Sequence, residues 1–153
     1  MDKIKIDNFI LENKNIEFPF WRALSNTECS NIKKEIIKKL RLPSSVSGLD
    51  LMKTINQRGK LKTWLDVDAN SFENERIVLI NNLPLTNNPL IYINWYRMDH
   101  IDQMHLKDFI NYYEYIWYPS AEDIHIIDSN ISWIFSISHS GAIQLVELEP
   151  RKN

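Results

Sequence analysis

Between Glu122 and Leu148 the chain reads EDIHIID, DSN, ISWIFSIS, HSG and AIQLVEL. Short runs rich in β-branched and aromatic residues alternate there with clusters of turn-forming residues. Nothing else in the sequence restricts the fold as much. Runs this short and this closely spaced pair with their neighbours as antiparallel strands, so a β-meander is expected at the carboxyl end. In the middle run Ile131, Trp133, Phe135 and Ile137 are expected to point one way and Ser132, Ser136 and Ser138 the other, with Ile134 the exception.

ERIVLINN (75–82) and PLIYINWY (89–96) have the same character and are separated by LPLTNN (83–88), so they read as two further antiparallel strands. Helices are marked elsewhere. In SNTECSNIKKEIIKKLRLP, Ser25 and Glu28 have capping-box spacing, Cys29, Ile32, Ile36, Ile37 and Leu40 share one face, and Pro43 lies beyond the end. Residues 44–58 read as a second helix. In IDQMHLKDFINYYEYIWYP, Leu106, Phe109, Ile110, Tyr113, Ile116 and Trp117 form an apolar stripe opposite Lys107, Asp108, Asn111 and Glu114, with Pro119 as the limit. The expected fold is α+β, one domain over residues 1–153. It is built as an antiparallel sheet of about five strands with helices packed on one face. A chain of 153 residues hides roughly 70% of its unfolded surface, enough for a core.

Composition removes several chemistries. Cys29 is the only cysteine, so an intrachain disulfide, a zinc ribbon and a CxxC redox pair are all ruled out. Gly48, Gly59 and Gly141 are the only glycines and lie far apart, so neither a phosphate-cradling loop nor a dinucleotide fingerprint can be written. No run of 18 apolar residues occurs, and charges interrupt the first fifteen residues, so no membrane span, no signal peptide and a cytoplasmic location are expected.

The net charge of −2 conceals an uneven distribution. Residues 1–65 carry 13 Lys+Arg against 7 Asp+Glu, a local +6. Residues 99–128 carry Asp99, Asp102, Asp108, Glu114, Glu122, Asp123 and Asp128 against Lys107 alone, a local −6. Lys33, Lys34, Lys38, Lys39 and Arg41 could approach phosphates, but a pI near 6.1 is low for a nucleic-acid-binding domain. The acidic stretch suits a cationic protein instead, and nucleic acid is not expected as a partner.

Catalysis would draw on His100 and His105 with neighbouring carboxylates. Their five-residue spacing rotates them off a shared helical face, and no HExxH pair is present. A small hydrolase or metal-dependent enzyme built on that cluster is the alternative; no cofactor, metal or covalent chemistry is expected, and Cys29 reads as a buried apolar side chain. His139 is expected to brace the hairpin at the HSG turn, and His125 to point outward beside Asp123.

Trp117-Tyr118-Pro119-Ser120, Glu122-Asp123, Asp128, Trp133 and His139-Ser140-Gly141 together resemble a pattern in immunity proteins of bacterial polymorphic toxins. The resemblance covers about 25 residues. It implies a non-enzymatic cytoplasmic antidote that binds a cognate toxin domain, possible nucleases included, through an acidic surface. Asp99, Asp102, Asp108, Glu114, Glu122, Asp123 and Asp128 are then the candidate partner-binding acids. Tyr112, Tyr115 and His125 are the candidate uncharged contacts, the tyrosines because they lie off the main apolar stripe.

Overall fold

The computed structural model describes residues 1–65, 72–83, 89–119 and 121–148. Helix α1 spans Lys3–Glu12, strand β1 Trp21–Ala23, α2 Asn26–Lys39, α3 Gly48–Arg58, β2 Lys60–Trp64 and α4 Phe72–Asn82. There follow β3 (Leu90–Tyr96), β4 (His100–His105), α5 (Leu106–Asn111), α6 (Tyr113–Ile116), β5 (Ile124–Asp128), β6 (Trp133–Ile137) and β7 (Ala142–Glu147). The described strands form one antiparallel sheet in the order β1-β4-β3-β5-β6-β7-β2, an α+β architecture. The expected meander is β5-β6-β7. Among the described residues no helix is long and apolar enough to cross a membrane.

Seven described strands replace the expected five, and helices cover both faces rather than one. Alternate residues of the same strands feed two cores. Ile91, Ile93, Ile124, Ile126, Phe135 and Ile137 join Leu79 of α4 and Phe109, Tyr113 and Trp117 of the α5–α6 layer. Ile101, Ile127, Ile134 and Val146 meet Ile32 and Ile36 of α2 and Leu51 and Ile55 of α3 on the other face. Ile134, the exception in the alternation of β6, is therefore a contact of this second core.

Ile131 also sits in the second core, not with Phe135 and Ile137. Its φ of 54° turns it across the sheet, an uncommon conformation for a β-branched residue. Asp128 holds the turn: its Oδ1 accepts from the backbone nitrogens of Ser132 (2.6 Å) and Trp133 (2.9 Å), and its Oδ2 from the Ser132 hydroxyl (2.8 Å).

Helix α2 starts as expected, with the Ser25 and Glu28 capping box closed in both directions. Helix α3 falls within residues 44–58 and is capped by Ser47. A Cβ on Gly48 would strike the carbonyl of Arg97, so the missing side chain lets α3 lie against the β3–β4 turn.

Two expectations fail for a common reason. ERIVLINN is part of α4, in which Glu75 and Leu79 are buried, as is Leu83 just beyond it, while Ile77 and Ile80 are exposed. The start of the expected helix at 101–119 is instead β4, with Asp102 at a fully buried position. In each case a carboxylate occupies a core position and obscures the period. The LPLTNN turn, beyond Leu83, lies outside the described residues, as does Ser120.

Candidate functional site

The seven acids counted in residues 99–128 do not assemble into one surface. Asp102 is fully buried; its Oδ2 meets the amino-terminal nitrogen of Met1 and accepts from Trp95 Nε1 at 2.7 Å. Asp128 is 5% exposed and is occupied by the turn described above. Both are structural acids and depart from the expected partner-binding role.

Glu122 is also engaged. Lys5, buried on the inner side of α1, donates to Glu122 Oε2 at 2.6 Å and to the Ile116 carbonyl at 2.6 Å. Its ammonium lies 4.0 Å from the centre of the Tyr118 ring and 4.9 Å from that of Trp95. Burial pulls the Lys5 pKa down while Glu122 opposes the shift. Glu122 therefore balances a buried cation, and reversing its charge would place two cations together.

Tyr112 and Tyr115 are half-buried under α1, where Phe9 meets both rings edge-on at 5.2 Å. Tyr115 donates its hydroxyl to Glu12 at 2.7 Å, and that bond raises the phenol pKa. Helix α1, which the sequence did not reveal, is thus a second packed layer over them. Glu114 pairs with Arg76 at 3.1 Å. Asp108 is partly exposed on α5, whereas Asp99 is exposed beside Cys29 and Gly48 on the opposite side of the sheet.

Exposed apolar groups concentrate at the amino-terminal end instead. Ile4, Ile10 and Leu11 occupy the outer side of α1, followed by Ile16 and Phe20, with Leu11 at 70% and Phe20 at 62% exposure. Asp7 and Glu12 interleave with them and are exposed. This surface adjoins α6 through the Phe9, Glu12 and Tyr115 contacts.

His125 is 5% exposed, a correction to the expected outward orientation. The alternation was read properly, but the side facing away from Ile124 and Ile126 is covered by α3. Nε2 lies 3.1 Å from Asn56 Oδ1 and Nδ1 3.5 Å from Asn94 Nδ2, an arrangement that calls for a neutral ring protonated at Nε2. Burial lowers its pKa to about 4. His125 belongs to a polar row crossing four strands in register: Asn94 opposite His125, His125 opposite Ser136, and Ser136 opposite Gln144. Ser136 Oγ is buried without a partner among the described residues.

His139 braces its hairpin as expected, through Asp123: Oδ1 accepts from the His139 backbone at 2.6 Å and lies 2.8 Å from Nδ1. His100 and His105 sit at opposite ends of β4 and no described hydrogen bond joins either to a carboxylate. Among the described residues, the histidine–carboxylate pairing that the alternative reading requires is not seen at His100 or His105. Cys29 is buried, which raises its thiol pKa.

The basic half of the chain also acquires a location. Lys39, Arg58, Lys60 and Lys62 border a cleft of about 530 Å³ floored by Leu145 and Val146. Charge counting gave the excess; the meeting of α2, α3, β2 and β7 gave the place.

These features define an α+β protein with an open antiparallel sheet, two cores and a buried polar row. Comparison with protein-family models, curated proteins and solved structures gives no match.

Proposed function

We propose that the protein is a non-enzymatic binding module that neutralises a cognate bacterial toxin domain in the cytoplasm. The single observation carrying this reading is the exposed apolar surface of α1 and the segment after it, with the exposed acids Asp7 and Glu12 among its residues. Large apolar groups anchor protein interfaces, and carboxylates around them favour encounter with a cationic partner. The acidic-surface idea is therefore narrowed. Tyr112 and Tyr115 support the surface from beneath, Glu114 is engaged by Arg76, Asp108 is a partly exposed acid of α5, and Asp99 lies on the opposite side of the sheet.

The test is to read the genes neighbouring this chain's own and to co-express the chain with any toxin domain found there. The intact protein is expected to restore growth. Leu11→Asp and Asp7→Lys are expected to weaken the complex at least about tenfold while leaving thermal unfolding unchanged, the latter through association rate and with a loss that shrinks at high salt. Full protection by both variants would remove the basis for the proposal.

A further inference from the structure

Under α3 the polar row opens into a recess of about 150 Å³, bordered by Asn56, Asp123, His125, Ser136, Ser138 and Gln144. At about 30 Å³ per molecule it has room for about five waters, or for one small polar group. We propose that this recess binds a guanidinium group.

Ser136 Oγ has no partner, although the residue is only 6% exposed. Among the described residues the Gln144 side chain, Asn56 Nδ2 and Asp123 Oδ2 are likewise unengaged, whereas His125 spends both ring nitrogens on Asn56 and Asn94. The accessible acceptors left over are Asp123 Oδ2 and Gln144 Oε1, while Ser136 Oγ is buried in the wall. Among the described residues no lysine or arginine borders the recess. One carboxylate beside a neutral amide acceptor matches a flat cation carrying several N–H donors. An ammonium concentrates its donors at one point, and a polyol lacks the charge. The group can arrive on a free small molecule or on an arginine side chain of a protein; the chemistry of recognition is the same.

Isotope-labelled protein titrated with methylguanidinium and with an arginine capped at both ends reads this directly by NMR. Saturable shifts are expected at Asn56, Asp123, Ser136 and Gln144. They are expected at about tenfold lower concentration than with methylammonium, and not with glycerol. Binding of both guanidinium probes admits a protein side chain; binding of methylguanidinium alone restricts the site to a free small molecule. Asp123→Asn is expected to weaken binding about tenfold. Gln144→Leu provides the same loss should Asp123→Asn disturb the His139 turn. No saturable shift, or equal response to methylammonium and glycerol, overturns the proposal. Neither result depends on the toxin reading.

Discussion

On the side covered by α5 and α6, strands β3, β5 and β6 present Ile91, Ile93, Ile124, Ile126, Phe135 and Ile137, all fully buried. On the side covered by α3 the next residues of those strands are Asn94, His125 and Ser136, also buried. One backbone thus serves two environments that differ by one step along each strand. The first is held by apolar area and close packing, whose strength is indifferent to pH. The second adds to the apolar contacts of Ile127 and Ile134 with α3 a row of hydrogen-bonding groups that are either closed, as for His125, or open, as for Ser136.

The two sides can be separated by substitution. The largest effect is expected from Phe135→Ala on the apolar side, which leaves a cavity and lowers the unfolding free energy by about 3–5 kcal/mol in urea titrations. A loss below about 1 kcal/mol would show that this side is not the tighter one.

His125 sets the next effect, and it depends on pH. The ring has a pKa of about 4 in the folded protein against 6.5 unfolded, so the unfolded chain binds the extra proton more readily. The stability is fully present above about pH 6.5 and is lost as pH falls toward about 4, amounting to about 3 kcal/mol over that window. His125→Gln is expected to remove most of this slope between pH 7 and pH 4.5, and an unchanged slope would assign it to other groups.

Asp128→Ala comes third. It leaves the Ser132 and Trp133 amides without their acceptor and releases the turn that holds Ile131, an expected loss of about 2 kcal/mol. The smallest effect is Ser136→Ala, adjacent to Phe135 yet on the other face. Removing a buried hydroxyl that has no partner is expected to change stability by less than about 0.5 kcal/mol or to raise it slightly. A loss comparable to that of Phe135→Ala would erase the distinction between the faces.

The resembling segment also changes meaning in three dimensions. Trp117 donates Nε1 to the Glu122 carbonyl at 2.8 Å, Glu122 holds Lys5, Asp123 holds His139 and Asp128 holds the turn into Trp133. Those residues close local turns and secure α1, so the pattern is explained by folding requirements before any partner is invoked. The proposed partner surface therefore rests on groups the fold leaves exposed, such as Leu11 and Phe20.

Local chemistry was enough to specify the meander, the capped helix α2 and the apolar stripe from Leu106 to Trp117, because each depends on periodicity or on contacts within a few residues. The sequence alone likewise set the number and sign of the charges. Tertiary structure decided which charges are available: Asp102 and Glu122 are consumed by cations distant in sequence, and Lys39, Arg58, Lys60 and Lys62 are brought to one cleft. It also decided that α4 is a helix, that β4 is a strand and that His125 is covered. Burial and ion pairing depend on what the rest of the chain packs against each residue, and sequence spacing carries no record of that.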